Sequence, residues 1–120
     1  MTTIREQIKQ VIDDEPVAIF MKGTPEQPAC GNSLRALQAL WNAGAPITAV
    51  NVLPDPQIRQ ELSSLSDWPT IPQVFVKGEL IGGADITEEL HASGDLARKL
   101  DEALGSDREQ VVKTVAVAAE

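Results

Sequence analysis

The chain has 120 residues, 42% hydrophobic and 23% charged, which fits one globular domain large enough to fold without a disulfide or a structural metal. A formal net charge of −8 and an aromatic content of 3% argue against a basic phosphate-binding face and a base-stacking platform, so no nucleic-acid partner is expected. One cysteine allows no internal disulfide, the opening "MTTIREQIKQVIDDE" is too polar for a signal peptide, and no apolar run spans a bilayer, so a cytoplasmic protein without membrane association is expected.

Residues 3–14 are predicted helical, because Ile4, Ile8, Val11 and Ile12 share one face at i, i+4, i+7 and i+8. "VAIFM", 17–21, reads as a strand buried on both faces. Leu34, Leu37, Leu40 and Trp41 recur at helical spacing within 31–43, with Gly44 as the stop. "ITAVNV", 47–52, is a second strand. Asp55-Pro56 starts a third helix as N-cap and first-turn proline, turning Ile58, Leu62 and Leu65 inward. "QVFVK", 73–77, and "ELIG", 79–82, form a hairpin around Gly78. Asp85 and Glu88 read as a capping box, so a helix is expected from 86, continuing through Leu90, Leu96, Leu100 and Leu104 with a break at Gly94. Ser106 and Glu109 are read as caps of a last short helix carrying Val111, Val112 and Val115, a stripe weak enough to fray or be disordered. The order α-β-α-β-α-β-β-α predicts an α/β fold: a mixed four-stranded sheet flanked by helices, with one domain over 1–105 and an extension over 106–120.

The stretch "KGTPEQPACGNS", 22–33, holds the lone cysteine where the first strand gives way to a helix. The thiolate, not the thiol, is the nucleophile and metal ligand. Cys30 falls at or beside a helix N-cap, where first-turn amides and the positive end of the macrodipole favour a thiolate. Lys22 can bring an ammonium to the same edge, and Gly31 leaves the sulfur approachable. A buried structural cysteine is the plainer alternative, and the location favours the reactive one. Ser33 stands where a second cysteine would complete Cys-x-x-Cys, so any redox cycle must borrow its second thiol from outside the chain.

A second stretch, "WPTIPQVFVKGELIGGADI", covers 68–86. A cis Ile71–Pro72 bond would turn the backbone of Ile71 toward an extended ligand; a trans bond would leave only a rigid turn. Gly82-Gly83 before a helix start offers amides suited to a carboxylate, or simply a tight turn.

Taken together, Lys22-Gly23, Pro28-Ala29-Cys30-Gly31-Asn32-Ser33, Trp68-Pro69-Thr70-Ile71-Pro72-Gln73 and Gly82-Gly83-Ala84-Asp85 resemble the motifs of the monothiol glutaredoxins, which have a thioredoxin-like fold. "DPQIRQEL", 55–62, matches as well, and the resemblance covers about residues 3 to 104. It implies a glutathione site. Lys22 and Arg59 would hold the glycyl carboxylate, the backbone of Ile71 before Pro72 would pair with the cysteinyl unit, and Gly83, Ala84 and Asp85 would take the γ-glutamyl end. Three positions depart from the family pattern. Asn32 replaces Phe, which removes an aromatic cover beside the thiolate and adds a polar side chain; Ile71 replaces a common Phe; Ala84 replaces a common Cys.

The resemblance implies a carrier of a 2Fe-2S cluster in iron–sulfur storage, transfer and iron homeostasis. Such a cluster needs four ligands, and a homodimer with Cys30 from each chain and two glutathiones supplies four. A BolA-family protein and iron–sulfur acceptor proteins are implied as partners. The second reading is a glutathione-dependent thiol–disulfide oxidoreductase with Cys30 as the catalytic nucleophile. The third is a degenerate glutathione-binding module that Asn32 has silenced.

Overall fold

The computed structural model describes residues 2–120. Helix α1 (Ile4–Asp14) opens on a capping box in which the Thr3 hydroxyl accepts the Glu6 N–H and the Glu6 carboxylate accepts the Thr3 N–H. Its buried face is the predicted one, Ile4, Ile8, Val11 and Ile12. Strand β1 (Val17–Met21) is buried at all five positions because it runs through the middle of the sheet. It pairs parallel with β2 (Ile47–Asn51) and antiparallel with β3 (Gln73–Val76), and β3 pairs antiparallel with β4 (Glu79–Gly82). The hairpin between them turns on Lys77 and Gly78, both at positive φ (50° and 82°), the two-residue geometry that matches strand twist.

The alternation of β1 divides the core. Val17, Ile19 and Met21 meet α2 (Gly31–Asn42) and α5 (Asp95–Leu104) through Leu37, Leu40, Leu96 and Leu100. Ala18 and Phe20 meet α1 and α3 (Pro56–Ser66) through Ile8, Ile58 and Leu62. Asp55 caps α3 by accepting the Gln57 N–H at 2.9 Å. Within α2, Leu34 and Trp41 lie outside the expected buried stripe: Trp41 is 47% exposed. The two are seven residues apart, on the flank of a face that Ser33, Ala36, Leu37 and Leu40 already fill.

Three further expectations are corrected. Helix α4 (Ala84–Ser93) begins two residues early, with Gly83 as N-cap, and the capping box of Asp85 and Glu88 does not form. Both carboxylates are drawn instead to Arg35 of α2, an ion pair between helices that a local pattern cannot reveal. The break at Gly94 is present, at φ 84°, and separates α4 from α5.

The sheet has five strands, in the order β4-β3-β1-β2-β5, and not four. The expected last helix is a strand, β5 (Val112–Thr114), parallel to β2. The Ser106 and Glu109 pattern yields because the open edge of β2 offers partners to a β-branched run: Ile47 donates to the Val111 carbonyl at 2.7 Å and Val115 to that of Ala49 at 2.9 Å. Arg108 fixes the approach by donating to the carbonyls of Ala43, Gly44 and Gly105, each at 3.0 Å. Beyond β5, Val117 is buried against α1, and Gln7 holds the Ala118 backbone through both its N–H and its carbonyl. Val111 and Val112 remain exposed.

Candidate functional site

The parallel register Met21↔Asn51 places the loops leaving β1 and β2 at one end of the sheet. Gly23 follows at φ 90°, and a Cβ there would stand 2.4 Å from the Gln27 carbonyl oxygen, so the tight return of the loop requires glycine. Asn51 Oδ1 accepts the Gly23 N–H at 3.0 Å, and Ala29 donates to the Lys22 carbonyl at 2.9 Å. The loop thus delivers Cys30 beside the strand it left.

Cys30 is the N-cap of α2, half-buried, with extended backbone and no capping bond of its own. Its thiol pKa is lowered, first by the backbone N–H of Ser33, then by the N–H of Asn32, the Ser33 hydroxyl and the charge of Lys22, while partial burial opposes them. Ser33 is completely buried, and its Oγ accepts the Lys22 N–H at 3.1 Å. The residue that rules out a dithiol therefore braces the thiolate.

A groove of about 290 Å³ lies alongside. One wall is Trp68, Thr70, Ile71 and Pro72; the other is Gly83, Ala84, Asp85 and Ile86, with Asn32 between them. The Ile71–Pro72 bond is cis. Gln73, fully buried, donates through Nε2 to the carbonyls of Trp68 (2.9 Å) and Thr70 (3.2 Å) and holds the first wall. The Trp68 indole N–H is buried without a protein partner, an orphan donor at the groove. No side chain caps the first turn of α4. At Gly83 a Cβ would lie 3.3 Å from the Pro72 carbonyl oxygen and 3.7 Å from Trp68 Nε1, so glycine keeps the walls apart.

Ile71, Pro72, Gly83, Ala84 and Asp85 thus line one groove. Lys22 and Cys30 are outside that lining, with Cys30 two residues from Asn32, and the Lys22 charge is near enough to lower the Cys30 pKa. Arg59 lies on the exposed face of α3 and is not part of the lining. Arg35 is the functional candidate that sequence reading missed. Its Nη1 donates to Asn32 Oδ1 at 2.8 Å, its Nη2 to Asp85 Oδ1 at 2.7 Å and its Nε to Glu88 Oε1 at 3.0 Å. The Arg35 bonds hold the Glu88 carboxyl below its ordinary pKa, and those carboxylates in turn raise that of the guanidinium. Only the Asn32–Arg35 spacing of three on one helix was a local signal. Among the described residues no group of three or more His, Cys, Asp or Glu side chains could hold a metal ion, and no helix is long and apolar enough to cross a membrane.

A glutaredoxin family model matches residues 17–81. Monothiol glutaredoxin-5, mitochondrial, of Saccharomyces cerevisiae is 47% identical over 105 residues, 85% of this chain and 70% of that protein. Monothiol glutaredoxin-S15, mitochondrial, of Arabidopsis thaliana is 40% identical over 104 residues; the match takes in 87% of this chain but spans only 62% of that relative's length. Among solved structures, reduced poplar apo GrxS14 superposes with a TM-score of 0.73 at 40% identity, covering 83% of this chain and 92% of that one. A buckwheat glutaredoxin in complex with glutathione gives 0.73 at 25% identity, over 83% and 89%.

Proposed function

Since this chain belongs to the glutaredoxin family, in its monothiol class, we propose that it binds glutathione in the groove beside Cys30 and carries a 2Fe-2S cluster between proteins. The observation that carries this reading is the lone thiol itself: Cys30 is a free, half-buried helix N-cap whose thiolate is favoured, and the chain has no other cysteine. A chain with one thiolate must take the remaining cluster ligands from elsewhere. Cys30 would supply one, a second copy another, and two glutathiones the other two.

The groove fits glutathione, a short extended peptide charged at both ends. The uncapped first turn of α4 at Ala84 and Asp85 suits the α-carboxylate of the γ-glutamyl end, and the Asp85 carboxylate suits its ammonium. The Ile71 backbone beside Pro72 suits the peptide unit, and the orphaned Trp68 N–H offers a further donor. Lys22 is assigned to the glycyl carboxylate at the Cys30 end. Arg59 is assigned with it because α3 starts at the sheet end where Lys22 and Cys30 stand. A reducing compartment such as the cytoplasm suits a free thiol.

The lowered pKa of Cys30 favours a second reading, monothiol exchange. The Cys30 thiolate would attack the glutathione sulfur of a mixed disulfide, releasing the client thiolate and forming a Cys30–glutathione disulfide. A second glutathione thiolate then attacks that bond, restores Cys30 and leaves as oxidised glutathione. Anaerobic reconstitution with iron, sulfide and glutathione separates the two. Visible absorbance with a shift to dimer size on gel filtration is the expected result. A colourless monomer that rapidly reduces a small glutathione mixed disulfide would replace the carrier by the oxidoreductase, and inactivity in both assays would leave a bare binding module.

A further inference from the structure

Resting on that glutathione reading, we propose that Arg35 is a positioning residue that turns Asn32 into a hydrogen-bond donor for the γ-glutamyl carboxylate of the ligand. A guanidinium only donates. The amide atom that meets Arg35 Nη1 at 2.8 Å is therefore the oxygen of Asn32, which leaves Nδ2 and its two protons to the groove that Asn32 lines. Asp85 and Glu88 of the facing helix bond its other nitrogens and favour this orientation of the guanidinium.

The same clamp prepares the acceptor's place. The Asp85 carboxylate is drawn to Arg35 and does not cap the first turn of α4, so those amides stay open toward an incoming carboxylate. One cation between two carboxylates also leaves a single net negative charge, which spares the ligand carboxylate much repulsion and still attracts the neighbouring ammonium. Position 32 thus acts through a directed N–H donor, a different use from an apolar cover.

The test is an NMR titration of the full-length reduced protein, following the Ala84 and Asp85 amides, with two ligands: glutathione, and the analogue whose γ-glutamyl unit is γ-aminobutyryl and lacks only the α-carboxylate. Asn32→Ala, at an exposed helix position, and Arg35→Lys, which keeps the charge but whose single nitrogen cannot span the three acceptors, should each weaken glutathione about ten- to hundredfold, as the loss of one hydrogen bond to a charged group does. The double variant should lose less than the product of the two losses, because Arg35 acts on the ligand carboxylate in part through Asn32. The analogue should bind all four proteins equally. An unchanged glutathione affinity in Asn32→Ala overturns the proposal, as does multiplication of the two losses, or equal losses for the analogue. Should Arg35→Lys disturb the spectrum beyond the groove, Asn32→Ala against the two ligands decides alone. No binding of glutathione by the parent chain would overturn the functional reading itself; binding that ignores position 32 would overturn only this inference.

Discussion

Ser33 Oγ lies 3.1 Å from the backbone nitrogen of Lys22 and accepts its proton, so the hydroxyl hydrogen remains free to reach the Cys30 sulfur. One buried side chain thereby joins the end of β1 to the thiolate at the start of α2. Ser33→Ala should orphan the Lys22 N–H, at a cost of about 1–3 kcal/mol of stability, and raise the thiol midpoint toward its ordinary 9.0. The sign of the pH dependence follows. The folded-state pKa lies below the unfolded one, so the contribution is complete above pH 9.0 and is lost as pH falls through the folded value. Thiolate ultraviolet absorbance against pH, for parent and variant, measures the shift; identical midpoints would remove the Ser33 hydroxyl from the account and leave the backbone N–H.

Cys30→Ser should keep the fold and abolish both cluster loading and mixed-disulfide formation. Cysteine makes no capping bond here, whereas serine at an N-cap accepts from the first turn, so thermal stability should hold or rise by up to about 1 kcal/mol. Cluster absorbance in this variant after reconstitution would show that another group is the ligand.

Gly83→Ala tests the groove without touching the thiol. The backbone there, φ −98°, is open to any residue, so the fold should survive. The added methyl would sit between Pro72 and Trp68 and narrow the groove. Glutathione affinity should fall while alkylation of Cys30 by iodoacetamide keeps its rate. Equal affinity by calorimetry would place the ligand elsewhere.

Arg108→Ala should loosen the segment that carries β5. The side chain is 11% exposed and holds three carbonyls and the Asp101 carboxylate, so its loss leaves buried acceptors unpaired and costs about 1–3 kcal/mol. Hydrogen exchange at the amides of Ile47 and Val115 should quicken first, before that of β1. Unchanged protection there would mean β5 holds without its anchor.

The local elements were legible because each rests on neighbours in sequence: the Ile4, Ile8, Val11 and Ile12 stripe marks the first helix, Asp55-Pro56 marks a helix start, the Val17–Met21 run marks a central strand, and Gly78 and Gly94 mark turns. The groove residues were legible as motifs, with the Pro72 and Gly83 walls now seen to face one another. What stayed hidden depends on partners distant in the chain. Asp85 and Glu88 have the spacing of a local cap and serve Arg35, fifty and more residues away. The run Val111–Val115 carried a β signal in its branched side chains, but only the open flank of β2 decides between strand and helix. Trp41 has helical spacing and still faces outward, since periodicity fixes a direction around the helix and not the width of the buried stripe.

The pairing of β5 with β2 also bears on self-association. Ile47–Val50 is a buried, mostly apolar run whose outer backbone groups, without β5, would form a row of donors and acceptors open to another chain. β5 replaces that row by a strand of three residues, with Lys113 at its middle held to Glu15 at 3.2 Å. A short, charged border recruits further strands poorly. Residues 111–117 thus cover an edge that would otherwise be open, and a shortened chain lacking them is expected to precipitate at concentrations where the full chain stays clear.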